Sequence, residues 1–326
     1  MPYPIDKKLV VAVTSRAVFD MEEANAIFDN EGTEQFRAYQ LARIDLPLAP
    51  GVAFPFIRRL LRLNELYPDQ QPVEVIVLSR SDPASGRRFY RSCKHHGLDI
   101  TRGAFLSGKS PYPYIRSFNA SILLSAHESD VISALRAGLP AGLVLPSKVV
   151  DDSADHELRI AFDFDGVLAD DEAEAVYRNS MDLDLFTQYE VEKSAKPHNP
   201  GPCKDLFTKI GFFQKLEAKR AREQPGYEPA VRIAIVTARN APANERVVTT
   251  LESWGMSATE TFFMGGIEKK RVLEVLKPHI FFDDQLTHLE PAAETVPSIF
   301  VPFGIANVDL LENVPPGGEY VAKLKA

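Results

Sequence analysis

Two α/β domains, each built on a mostly parallel sheet, are what this sequence predicts. Three observations carry that prediction. The chain has 326 residues, about twice a typical domain. Short β-branched runs alternate with longer amphipathic stretches, as βαβ units require. A polar segment, Ser147–Glu157 (SKVVDDSADHE), separates two such sets and reads as the linker between residues 1–150 and 151–326.

The first set of strands is expected at Leu9–Val13, Val73–Leu78, Ser121–Leu124 and Gly142–Leu145. The second is expected at Arg159–Phe162, Val231–Val236, His279–Phe282 and Ser298–Val301, with helices that include Asn244–Ser253 and Lys269–Leu276. The two sets match each other in one order. AVTSRAVFDMEEA from Ala12 lies over AFDFDGVLADDEA from Ala161, with Glu23 on Glu172 and Ala24 on Ala173. Pro50 and Gly51 fall on Pro200 and Gly201, and VEVIVLSRSDP from Val73 on VRIAIVTARNAP from Val231. Further on, Gly97 meets Gly255, Gly108 meets Gly266, Ile122 meets Ile280 and Pro146 meets Pro302. Slowly drifting offsets in a fixed order predict a duplication of one Rossmann-like domain.

Composition narrows the function. Hydrophobic residues make up 45% and charged residues 25%, the mix of an ordinary globular protein rather than a disordered one. A net charge of -8 argues against binding long nucleic acids, whose affinity comes from phosphate neutralisation. Two cysteines, Cys93 and Cys203, make no disulfide framework and fit a reducing compartment. The apolar run after Lys7 and Lys8 is too short for a signal segment, and no stretch is long enough to span a membrane. The expectation is a cytoplasmic protein without a membrane partner.

The strongest local signal is IAFDFDGV, Ile160–Val167: an apolar strand running into Asp163 and Asp165, then a glycine that permits a sharp turn. Carboxylates at the C-terminal end of a strand sit where open α/β sheets hold ligands. Two acids so close favour a hard divalent cation, foremost Mg²⁺, although a solvated Asp-Gly turn has the same look. Strand Val231–Val236 ends in Thr237, Ala238, Arg239 and Asn240. Strand His279–Phe282 ends in Asp283 and Asp284, and Lys269 and Lys270 open the helix before it. Thr237 could be only a helix cap and either lysine only a solvated charge. An acid pair directly after an apolar strand is harder to explain by stability, since like charges repel there. By themselves, these four elements predict metal-assisted phosphoryl transfer.

In this order Asp163, Asp165, Thr237, Lys269 and the Asp283–Asp284 pair resemble the haloacid dehalogenase superfamily of phosphohydrolases over residues 159–302. More narrowly, SRAVFDMEEANAIF, VTARNAP and KPHIFFDDQ resemble the cytosolic 5′-nucleotidase class I family over most of the chain. The resemblance implies two haloacid dehalogenase-like domains and Mg²⁺-dependent hydrolysis of nucleoside 5′-monophosphates through an aspartyl-phosphate. It makes Asp163 the nucleophile, Asp165 the general acid/base and Thr237 a phosphoryl hydrogen-bond donor. Lys269, with Lys270 a close rival, becomes the motif cation. It implies Mg²⁺ held by Asp163, the Asp165 carbonyl and the acid pair, with Asp284 as the direct ligand and Asp283 behind it. A phosphatase acting on another phosphomonoester and a slow nucleotide-binding regulator are the alternatives, and homo-oligomerisation is left open.

Between the first two motifs, residues of about 172–228 predict a small helical cap in the second domain only. Its aromatics Phe186, Tyr189, Phe207, Phe212 and Phe213 read as core, and Lys193, Lys196 and His198 as solvated loop residues. Arg239 and Asn240, together with Thr237 and Ala238, are the expected substrate contacts. In the first half, Thr14 and Arg16 stand for Asp163 and Asp165, Ser79 for Thr237, and Ser125 and Ala126 for the acid pair. That half is therefore expected to be catalytically dead. Arg16, Ser79, Arg80 and Lys109 either bind an anion or are polar side chains that simply face solvent. The segment FLSGKS, Phe105–Ser110, lacks the full phosphate-loop pattern, and the seven histidines lack zinc-ligand spacing.

Overall fold

A computed structural model describes residues 3–313. One compact unit runs to Val144 and the other begins at Leu145. In the first, strands β1 (Leu9–Val13), β2 (Val73–Ser79), β3 (Arg102–Phe105), β4 (Ile122–Ser125) and β5 (Ala141–Val144) run parallel in the order β3-β2-β1-β4-β5. In the second, β6 (Leu158–Phe162), β7 (Val231–Thr237), β8 (Glu260–Phe263), β9 (Ile280–Asp283) and β10 (Ser298–Phe300) run parallel in the order β8-β7-β6-β9-β10. The chain is α/β with parallel sheets, and all eight expected strands form. Their ends shift by a residue or so, as ladder hydrogen bonds rather than apolar runs decide them. The edge strands β3 and β8 escaped the sequence reading. RGAF and ETFF are only partly buried, so neither makes the continuous apolar run that marks a central parallel strand.

Burial explains the centre of each sheet. LVVAV of β1 and VEVIVLS of β2 are buried throughout, and β6 is buried but for Arg159. Phe162 stacks on Phe282 at 5.0 Å and meets Phe207 edge-on at 5.7 Å, which locks β6 to β9 and to the crossover helix Lys204–Glu223.

The same local bonds recur in both units. An antiparallel bridge joins Phe19 to Pro50 in one and Ala169 to Pro200 in the other. Gly51 N–H donates to the Val18 carbonyl and Gly201 N–H to the Leu168 carbonyl, both at 2.8 Å. Thr14 N–H donates to Leu124 as Asp163 N–H does to Phe282. These bridges move the offset to 150 already at Phe19 and Ala169, so Glu22 rather than Glu23 stands opposite Glu172. One extra residue therefore lies between Asp163 and Ala169. It is accommodated by a kinked turn where the first unit has a regular helix, Ser15–Val18.

Residues 172–228 hold helices Glu172–Ser180, Leu183–Glu192 and Lys204–Glu223. The long one buries Leu206, Phe207, Ile210 and Phe213 and contacts β7, so it is a crossover helix rather than part of a cap. Phe212 is exposed, against the expectation of core. The first unit has its own pair, Glu22–Glu31 and Thr33–Ala42, so the short helical pair is not confined to the second unit.

A Cβ on Gly201 would lie 2.4 Å from the Ala169 carbonyl oxygen, a backbone atom that cannot move aside. One on Gly211 would meet the swinging end of Met256. Gly201→Ala is expected to cost about 1–3 kcal/mol by urea unfolding and Gly211→Ala less, because only the first overpacks against backbone.

Candidate functional site

Every motif side chain of the second unit comes to the C-terminal ends of β6, β7 and β9, where the sheet opens. Asp163 follows β6 and accepts from its neighbour's N–H, Phe164, at 2.7 Å. Gly166 carries φ +70° in the kinked turn beyond it. A Cβ there would come within 2.6 Å of an Asp284 carboxylate oxygen, so only glycine lets loop and acid pair approach.

Lys269 is buried, and its Nζ lies 2.7 Å from Asp163 Oδ2 and 2.7 Å from Asp283 Oδ2. Lys270 points to the surface and pairs with Glu294 at 2.6 Å. Asp283 is fully buried and also accepts from Gln285 N–H at 2.8 Å, with His288 Nδ1 at 3.2 Å. Asp284 differs: its Oδ1 is buried and has no hydrogen-bond partner among the described residues. Thr237 is buried at the end of β7, its hydroxyl accepting from Arg239 N–H at 3.3 Å.

Electrostatics follow from that crowding. Burial raises the proton affinity of Asp163, Lys269 opposes it, and Asp283 and Asp165 push the same way as burial, leaving its pKa up at about 7. Burial, then Asp283 and Asp163, hold Asp284 well above the usual carboxylate range. Burial also disfavours the charged forms of Asp283 and Lys269, but the ion pairs outweigh it: Asp283 is held down and Lys269 up. Three carboxylates thus face one ammonium, and with an unpartnered buried oxygen among them the cluster could hold a cation. Hard oxygen donors fit Mg²⁺. Among the described residues, ligand atoms of Asp163, Asp283 and His288 cluster within 4.8 Å, as do those of Asp170, Glu172 and His198. Lys269 engages Asp163 Oδ2 and Asp283 Oδ2 alike, whereas Asp284 Oδ1 has no hydrogen-bond partner among the described residues.

Arg239 is not the free substrate donor the sequence suggests. Buried, it holds Asp165 through two bonds of 2.8 and 2.7 Å and pairs with Glu190 on its other side. Ala238 and Asn240 beside it are exposed. Glu190, itself buried, also takes Arg246 at 2.8 Å, and Arg246 reaches Glu172 at 2.7 Å. His198 is buried rather than solvated, with its ring nitrogens 3.3 Å from Asp170 and Glu190. Lys193 pairs with Glu172 at 2.6 Å. Glu190, Arg246, His198 and His288 were missed. A faint signal existed for Arg246, which shares the buried helix face of Val247, Thr250 and Leu251, where an unpaired charge would be costly.

A 5′-nucleotidase family model matches residues 1–308. The chain belongs to the 5′-nucleotidase family. It is 35% identical over 300 residues to human cytosolic 5′-nucleotidase 1B, a stretch covering 89% of this chain and 48% of that protein. The chain thus spans about half the length of that relative. No solved structure matches it.

Burial alone would raise the pKa of Glu190, but His198 and Arg239 outweigh it and hold the group down at about 2. Glu190→Gln should cost about 3–5 kcal/mol at pH 7, because two buried guanidinium groups lose a shared anion. A depressed carboxylate stabilises above its unfolded pKa and loses that contribution as pH falls through the folded value. The gap between wild type and variant should therefore narrow from pH 4.5 toward about 2 in pH-stepped urea titrations.

Proposed function

We propose that the second unit is a haloacid dehalogenase-like phosphohydrolase that cleaves nucleoside 5′-monophosphates to nucleoside and phosphate. The observation that carries this is Lys269 held 2.7 Å from both Asp163 and Asp283, beside an Asp284 oxygen with no partner. Family membership supports the substrate class.

In this reading an Asp163 carboxylate oxygen attacks phosphorus and the bond to the 5′ oxygen breaks. Asp165 donates its proton to the leaving alkoxide. Water then attacks the aspartyl-phosphate, Asp165 takes a proton from it, and phosphate leaves with Asp163 restored. Lys269 offsets charge on Asp163 and on the phosphoryl oxygens, to which Thr237 donates a hydrogen bond. Arg239 positions Asp165 rather than touching substrate. Asp163 and Asp284 would hold Mg²⁺, with the Asp165 carbonyl beside them and Asp283 behind. Bound there, the cation lowers the repulsion between anionic nucleophile and anionic phosphate.

Recurring bonds at slowly drifting offsets support descent of the two units from one domain by duplication, with residues 1–150 lacking the catalytic acids and 151–326 carrying them. The helices Glu172–Ser180 and Leu183–Glu192 would serve as a cap beside the site. The chain would act in the cytoplasm, in line with the cytosolic label of its human relative and with the lack, among the described residues, of a helix long and apolar enough to cross a membrane.

Phosphate release from a panel of nucleoside monophosphates and other phosphomonoesters tests the activity directly. It should require Mg²⁺, vanish on chelation and return when Mg²⁺ is restored. Asp163→Asn should abolish turnover with the fold intact by circular dichroism, and near-normal turnover would exclude the covalent route. Asp165→Asn should lower it about 10²–10⁴-fold. Lys269→Ala should cost far more activity than Lys270→Ala, whose side chain pairs only at the surface.

A further inference from the structure

A cavity of about 430 Å³ opens in the first unit, at the C-terminal ends of β1, β2 and β4, where the second unit carries its acids. Its floor has the same frame with different chemistry. Thr14 follows β1 where Asp163 follows β6, and Thr14 Oγ1 accepts from Ala126 N–H at 3.3 Å. Ser79 ends β2 and accepts from Ser81 N–H at 3.1 Å, as Thr237 does from Arg239. Ser125 receives His127 N–H at 3.0 Å, as Asp283 receives Gln285 N–H. Neither a nucleophile nor a metal-binding acid remains at these positions.

The charge at the floor has reversed. Arg16 lines the cavity, half-buried, and makes no hydrogen bond or ion pair among the described residues; Asp29 and Glu22 attract it only at longer range. The other lining cation, Arg80, is committed to Asp130 at 2.6 Å. Of the lining acids, Asp82 is committed to Ala84 N–H, Ser85 N–H and the Ser85 hydroxyl, and Glu128 is half-buried. Lys109 is exposed and does not line the cavity. On the wall stand Phe28 and Phe36, edge to face at 6.0 Å, with Met21 beside them. Phe28 is 42% exposed, a large apolar ring left bare at a cavity rim.

From this arrangement we propose that the first unit binds a phosphomonoester with an aromatic body, of the class proposed as substrate, without a divalent cation and without turnover. It rests on the reading above only for that class. Arg16 and the hydroxyls of Thr14 and Ser81 take the phosphate, and the Phe28–Phe36 wall takes the ring. A site made of carboxylates needs a metal before it accepts phosphate. One made of a guanidinium and hydroxyls does not.

The test is calorimetric titration of the full chain with AMP in EDTA, with adenosine and inorganic phosphate as comparison probes. One AMP per chain should bind, and adenosine at least about tenfold more weakly, since it lacks the charge-assisted contacts. Arg16→Gln should weaken AMP about tenfold or more, and Phe28→Ala, at an exposed position where the fold is not at risk, should weaken it measurably. Asp163→Asn should leave this binding unchanged. No binding in EDTA overturns the proposal. So does adenosine binding as tightly as AMP, or binding that survives Arg16→Gln and is lost in Asp163→Asn. Mg²⁺-dependent phosphate release, measured on the same preparations, reads the second unit separately. A chain that binds AMP in EDTA yet releases no phosphate refutes the hydrolase reading and supports this one.

Discussion

Three carboxylates and one ammonium share a buried volume at the mouth of the second sheet, and much of that unit is arranged around them. Asp163, Asp283 and Asp284 would repel one another where little water screens them. Lys269 offsets two of them through two contacts of 2.7 Å. The third keeps an oxygen with no partner. Such a cluster is costly to fold and is tolerable where its remaining charge is met by a bound cation. Gly166 is part of the same constraint, because any side chain there would occupy the space of the Asp284 carboxylate.

The Arg239–Glu190–Arg246–Glu172 chain, buried except at Glu172, reaches that cluster from the helical side. Its end at Arg239 grips both oxygens of Asp165, while Glu190 and Glu172 come from the two helices after the first motif. Desolvating three charges, Arg239, Glu190 and Arg246, gains little net stability, but misplacing any one of them leaves others unpaired. The network therefore serves orientation better than stability: it ties the turn carrying Asp165 to the helices Glu172–Ser180 and Leu183–Glu192. In the first unit the corresponding pair is weaker in charge, with Arg88 donating to the Gln40 amide oxygen at 2.9 Å. The packing position persists where the carboxylate does not.

Comparing the units separates what a parallel sheet needs from what the proposed chemistry needs. Strand order, the Phe19–Pro50 and Ala169–Pro200 bridges and the Gly51 and Gly201 contacts are common to both. The differences gather at strand ends: Thr14 against Asp163, Arg16 against Asp165, Ala126 against Asp284, and one added residue in the turn at Gly166. In the first unit Thr14, Arg16 and Ala126 line a cavity, so exchanges there leave the sheet's packed interior unchanged.

The sequence by itself determined the parallel α/β architecture and the central strands, since a fully buried strand must be apolar along its whole length. It also set the order of the motif acids, and with them the resemblance that pointed to phosphoryl transfer. Edge strands β3 and β8 stayed hidden because half-buried strands carry no such run. Only the tertiary structure turned Lys269 toward Asp163 and Asp283 and Lys270 toward Glu294: both open the same helix, and the direction each faces depends on how that helix packs. It alone committed Arg239 to Asp165 and brought His198 and Glu190 inside, because partners 49 and 74 residues apart leave no periodic trace. That Asp284 Oδ1 has no hydrogen-bond partner and Arg16 no ion pair among the described residues was likewise decided there. Whether a charge is paired depends on its neighbours in space, and a sequence lists only its neighbours along the chain.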